Sequence, residues 1–265
     1  MRRVRQITIK YLAVFAVLLF FAGAAGCGSK KSSQMFTYTE KEDGTLEITG
    51  LTDGAREQSS FAVPAQIDGK NVTSVAREAF RDCANMKEIV LPEGIVTIGE
   101  NAFLSCYNLE SITFPSSVET VGTNVVKNTA WEKKEFEQSG AVIINNILAA
   151  VQNVSGEYTV PDGVVKIASG VFYGNTELTR VNTGEQLKEI GTYAFAGCTN
   201  LEEIALPSSL KVIGYGAFSH CGKLKVRLPD TVEAVGQDAF LEVEEVEYHG
   251  ELEGAYWGAL SGNGG

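Results

Sequence analysis

Phenylalanine returns along this chain at a fixed interval. Phe80, Phe103, Phe172, Phe195, Phe218 and Phe240 are separated by 23, 69, 23, 23 and 22 residues, and 69 is three times 23. So short a period constrains the fold more than composition does. One 23-residue unit cannot bury an apolar face alone and must stack on copies of itself. Other residues keep the same phase. Five positions before each Phe stands Val75, Ile98, Ile167, Ile190, Ile213 or Val235, followed by Ala76, Gly99, Ala168, Gly191, Gly214 or Gly236. Three positions after it come Cys83, Cys106, Asn175, Cys198, Cys221 and Val243.

Proline supports the phase independently, since Pro92, Pro115, Pro161, Pro207 and Pro229 are spaced by 23, 46, 46 and 22 residues. The shared step of 22 places a one-residue deletion between Leu224 and Pro229. Before each proline the residues alternate, as in Glu88-Ile89-Val90-Leu91 and Glu203-Ile204-Ala205-Leu206, the pattern of a strand with one buried face. Strands of about four residues are stable only if each pairs in parallel with its copy one unit away, at a spacing of ~4.8 Å. The expected fold is a solenoid of about eight coils, mostly short parallel strands joined by turns or short helices, and on the order of 40 Å long.

One coil keeps the length and loses the pattern. Val126 replaces Phe, Ala149 stands where the next Phe belongs, and residues 127–157 form an irregular coil. Within it, Ala141 to Leu148 predicts two short strands around an Asn145-Asn146 turn. The expected organisation is a signal peptide at 1–26, a tether at 27–35, an N-terminal hairpin cap at 36–70 around Asp43-Gly44, the solenoid at 71–240, and a C-terminal cap and tail at 241–265 that includes Trp257. Terminal coils need caps to stay soluble.

The columns resemble the BspA-type leucine-rich repeats of bacterial surface proteins over roughly residues 62–250, most closely from Leu201 through Cys221. The resemblance implies a leucine-rich-repeat solenoid that binds a protein or a host or neighbouring-cell component. It also implies caps like the segment Val63–Lys70 and the closing strand Val246–Gly250.

The first residues add a location. Arg2, Arg3, Arg5 and Lys10 precede an apolar run from Tyr11 to Gly26, too short for the ~20 residues of a membrane span and ending in small residues, as a cleaved signal does. Ala24-Ala25-Gly26-Cys27 resembles the lipobox of bacterial lipoproteins, with Ala in place of the usual Leu. It implies lipidation of Cys27 and attachment to the cell surface. The polar run Gly28 to Gln34 reads as a tether. Loss of residues 1–26 removes four basic and no acidic residues, leaving 18 basic against 33 acidic and a net charge of −15. Such a body repels nucleic acid and anionic lipid, so membrane contact is expected through the lipid alone.

No motif for a nucleophile, a phosphate or a dinucleotide is present, and no catalytic residue, cofactor or metal is expected. The spaced cysteines admit disulfides or a metal. Their column also holds Asn175 and Val243, which favours buried free thiols. His220 and His249 would suggest a hydrolase only beside a carboxylate or hydroxyl in a cleft. Two binding sites are candidates. One is the outward row of the strands: Glu88, Ser111, Thr113, Arg180, Asn182, Glu203, Lys225 and Arg227. The other is the irregular coil, with Trp131 and Phe136. The expected partner is an extracellular protein or glycan bound by a monomer, and the alternative role is a structural envelope spacer.

Overall fold

The computed structural model describes residues 34–250 and 258–259, and the backbone of 262–263. The signal, Cys27, residues 28–33 of the tether, and Trp257 lie outside the described residues. The chain begins with a hairpin of β1 (Phe36–Glu40) and β2 (Leu46–Leu51). Asp43 Oδ1 closes its turn by accepting from the Thr45 N–H and hydroxyl at 2.9 and 2.6 Å. After β3 (Ser60–Ala62), β4 (Gln66–Ile67) turns back onto β5 (Lys70–Val75) through Asp68-Gly69, both at positive φ, and β5 lies parallel to β2.

From there each regular coil contributes two strands. On one face lie β6 (Glu88–Val90), β8 (Ser111–Thr113), β12 (Gly156–Thr159), β14 (Leu178–Asn182), β16 (Glu203–Ala205), β18 (Lys225–Arg227) and β20 (Glu245–Glu247), with β3 before and β21 (Gly262–Asn263) after. At the next corner lie β7 (Thr97–Ile98), β9 (Thr120–Val121), β13 (Lys166–Ile167), β15 (Glu189–Ile190), β17 (Val212–Ile213) and β19 (Ala234–Val235). Strands of successive coils pair in parallel, so each short strand takes its hydrogen bonds from its neighbours. The described residues make about nine turns, close to the eight expected.

The Phe column forms the centre of the core. Its six rings are at most 2% exposed. Phe80 and Phe103 stack at 5.3 Å, and Phe172, Phe195, Phe218 and Phe240 stack in series at 4.8, 5.2 and 5.4 Å with nearly parallel planes. The end rings are met edge-on, Phe80 by Phe36 of the cap at 6.2 Å and Phe172 by Tyr158 at 5.2 Å. The cysteine column lies beside the rings as buried free thiols. Cys106, Cys198 and Cys221 donate S–H to the carbonyls of Phe80, Phe172 and Phe195, one coil back, at 2.9 to 3.1 Å. Asn175 holds the same slot by donating instead to the Val154 carbonyl at 2.9 Å.

The glycine column has a different cause from the backbone freedom that glycine suggests. A Cβ on Gly99, Gly122, Gly191, Gly214 or Gly236 would lie 2.4 to 2.7 Å from the backbone of the preceding coil, so close approach excludes every larger residue. Left-handed backbone falls two positions before and after the ring instead. Glu78, Asn101, Asn124 and Tyr193 hold the first place, and Asp82, Ser105, Asn128 and His220 the second, all at φ of 53 to 64°.

The irregular coil replaces one strand and omits one turn. Where the strand face should continue, α1 (Ala130–Ser139) packs instead. Thr129 caps it by accepting from Glu132 N–H at 2.9 Å, Glu132 in return accepts from Asn128 N–H at 2.8 Å, and Gly140 at φ 73° ends it. The chain then forms the antiparallel hairpin of β10 (Ala141–Ile144) and β11 (Ile147–Val151). Its turn is anchored on both sides, Asn145 donating to the Pro115 carbonyl at 3.1 Å and Asn146 to the Gly163 carbonyl at 2.7 Å. The buried apolar residues divide here into two clusters, with Val142, Ile144, Ile147 and Ala149 facing one and Ala141 and Leu148 the other. The one-residue deletion also registers: Lys225 N–H still reaches the Glu202 carbonyl at 3.2 Å, after which β16 and β18 fall into separate sheets.

Candidate functional site

The strand row points outward as the alternation requires. Ile89, Ile112, Val181, Ile204, Val226 and Val246 are buried, while Ser111, Thr113, Arg180, Glu203, Lys225 and Arg227 are exposed and Glu88 and Asn182 half-buried. Register brings Glu88 beside Ser111, and Arg180 beside Glu203. The row is not continuous, because α1 separates Glu88, Ser111 and Thr113 from the rest. Nor are its cations free. Arg180 pairs with Glu203 at 2.9 Å, Lys225 with Glu244 at 3.0 Å, and Arg227 with Glu247 at 3.9 Å. The hydrogen bond to Glu244 raises the Lys225 pKa and keeps the ammonium charged. Asn182 donates to Glu157. Thr179, Arg180, Glu202, Glu203 and Lys225 line a depression of about 430 Å³ on this face.

The irregular coil separates its two aromatics. Trp131 packs edge-on against Phe114 at 5.5 Å and donates its backbone N–H to the Leu109 carbonyl at 2.7 Å, covering the end of the first strand sheet. Phe136 lines a cavity of about 760 Å³ on the turn side, with Val126, Ala149, Ala150, Val151 and Tyr173. Thr123 Oγ1 donates to the Ser169 carbonyl at 3.2 Å and closes one end of it. Glu132 also lines it, and burial raises its pKa against the opposing pull of Asn128 N–H. A row of tyrosines continues along the turns from this cavity. Tyr173, Tyr193 and Tyr215 are exposed, with rings 6.5 and 5.2 Å apart. These tyrosines follow or precede the Phe column at unequal offsets, so the 23-residue period does not mark them.

Both histidines lie beside carboxylates, His220 with Glu242 and His249 with Glu247, each at 2.8 Å and about half exposed. His249 borders a depression that also contains Thr231, whose hydroxyl donates to the Ser208 carbonyl at 2.7 Å. Among the described residues neither imidazole is hydrogen-bonded to a hydroxyl or thiol, and no group of three or more His, Cys, Asp or Glu side chains could hold a metal ion.

The sequence profile of the BspA type leucine rich repeat region matches residues 73–174 and 136–247, in six copies. The chain belongs to the BspA-type leucine-rich repeat family. Solved structures similar to it include a leucine-rich repeat protein of T. pallidum, 25% identical over 72% of this chain and 89% of that one, with a TM-score of 0.43. Others are the pneumococcal vaccine antigen PcpA (23% identity, 86% and 69% coverage, TM-score 0.43) and a leucine rich cell surface protein from Faecalibacterium prausnitzii (17%, 80% and 86%, 0.40). No curated protein matches the chain. In this BspA-type chain the polar Cys/Asn column follows the Phe turn. Side-chain bonds to a carbonyl one coil back account for Cys106, Asn175, Cys198 and Cys221, while Val243 holds the slot by packing alone.

Proposed function

We propose that this protein is exported, anchored at the bacterial surface through lipid on Cys27, and serves as a non-enzymatic module that binds an extracellular protein or glycan. The observation that carries the reading is the contrast between the two sides of the same strands. Inward positions hold apolar or aromatic side chains in coil after coil, Ile or Val in most and Phe61 and Tyr158 in two, as stacking demands. Outward positions change class from one coil to the next, through carboxylate, hydroxyl, guanidinium, amide and ammonium, over an open face with a depression at Arg180 and Lys225. Stacking alone places no such demand on exposed side chains. The membership in a repeat family with extended faces supports the same reading.

The test is affinity capture of extracellular proteins and glycans on the full chain, compared with a chain carrying Arg180→Glu, Lys225→Glu and Arg227→Glu. A saturable partner lost by the triple variant supports the module. Absence of any saturable partner would leave the envelope spacer.

A further inference from the structure

Turns around the Phe column are tied to one another by the same backbone bonds. Phe80 N–H donates to the Ala102 carbonyl, Phe103 to Val125, Phe172 to Ala194 and Phe195 to Ala217, each at 2.8 Å. By that count Val126 N–H belongs to the carbonyl of Leu148. That carbonyl accepts instead from Ala168 N–H at 2.9 Å, because residues 147–151 run as strand β11 and form no turn. The amides of Asn124 and Val126 on one turn, and the carbonyls of Val171 and Tyr173 on the facing turn, therefore have no partner among the described residues. All four residues line the 760 Å³ cavity. Thr123 and Ser169 pinch it at one end, Ala149, Ala150 and Val151 contribute apolar side chains, and Tyr173 stands 70% exposed beside it.

We propose that this slot binds a short segment of a partner polypeptide, whose backbone completes the interrupted ladder and whose apolar side chain rests against Ala149, Ala150 and Val151. Donors on one wall and acceptors on the other match a peptide backbone, which presents both. The strip of Ala149, Ala150 and Val151 favours a peptide's apolar side chain over a sugar hydroxyl, which would lose water there, while Asn128, Gln152 and Tyr193 supply hydrogen-bonding groups elsewhere in the lining. The charged groups of the lining are Glu100 and Glu132 against Lys127, on a chain of net charge −11, which selects a neutral or basic segment over an acidic one. The slot lies on the turn side and is independent of the strand row.

The full chain is panned against phage-displayed random heptapeptides, and enriched peptides are synthesised with blocked ends. Saturable binding is expected, weakened about tenfold by N-methylation of a central peptide amide and at least as much by Ala150→Trp, which fills the slot from a half-buried position. Tyr173→Ala, at an exposed site, weakens binding without touching the fold. A melting temperature equal to that of the unmodified chain shows that each variant is folded. The triple charge reversal on the strand row leaves peptide affinity unchanged, which separates this site from the face proposed above. Three results overturn the proposal: no enrichment over an unrelated protein, enriched peptides indifferent to both slot variants, or displacement of the peptides by an oligosaccharide panel that itself binds saturably.

Discussion

Thr123 donates its hydroxyl to the carbonyl of Ser169, 46 residues further along the chain, so two coils that the repeat count places two levels apart touch directly on the turn side. Thr123→Val keeps the shape and removes the donor. The expected loss is about 1 kcal/mol of stability, read as a shifted urea midpoint with unchanged slope.

Ala168 and Gly191 share one column and are predicted to tolerate exchange to very different degrees. A methyl group on Gly191 would lie 2.7 Å from Ser169 N, so Gly191→Ala should cost about 2 to 3 kcal/mol. Ala168 has its methyl group already, over a coil that makes no corner beneath it, and Ala168→Gly should cost no more than about 1 kcal/mol. Thermal unfolding of the two variants separates close approach from glycine's backbone freedom.

The buried thiols should be chemically quiet. The hydrogen bond with the neighbouring thiol, and then burial, raise the pKa of Cys106 and Cys221 and disfavour the reactive thiolate. A disulfide-exchange reagent should leave these two unmodified in the native protein and modify all four in guanidinium. Cys83, at 8% exposed and with its pKa lowered by the hydrogen bond with Cys106, should react first. A signal from Cys27 in the mature protein would sink the lipid anchor.

Tyr158 gives an alkaline signature. Burial against Phe172 pushes its phenol up to about 12, from an ordinary value of 10.0. A raised pKa means that the unfolded chain releases this proton first. The contribution is therefore complete below pH ~10 and is lost as the pH climbs towards 12. Urea midpoints measured across that window should fall less steeply in Tyr158→Phe, and an identical slope would show that the phenol does not sense folding.

Much of this architecture was legible because stacking repeats each local requirement. Phe80 to Phe240, the Ile and Val column and the prolines each reported the same period, and the alternation at Glu88–Leu91 and Glu203–Leu206 placed the strands. The glycine column was legible as a pattern but not as a cause, since a sequence does not show that Gly191 lies against Ser169. Its exceptions carried information: Ala76 and Ala168 are the members with no regular corner below them. The helix at Ala130–Ser139 went unforeseen because it lacks a continuous apolar stripe and none of its residues is fully buried. Thr129-Ala130-Trp131-Glu132 followed by Gly140 was a readable start and stop. The ion pairs on the strand row depend on register between coils, and the omitted turn depends on where β11 sends its carbonyls, so neither was available from spacing alone.

The division of the apolar interior at the β10–β11 hairpin bears on how the molecule comes apart. In a linear array, cooperativity passes from neighbour to neighbour, and the coupling is as strong as the contact between adjacent units. Here one of those contacts lacks a ring in its stack and a set of backbone bonds on its turn side, so the coils before it and the coils after it behave as two folding units joined by one weak link. Hydrogen exchange should then resolve two blocks with separate opening energies, and mechanical extension should yield at the hairpin before either block unravels.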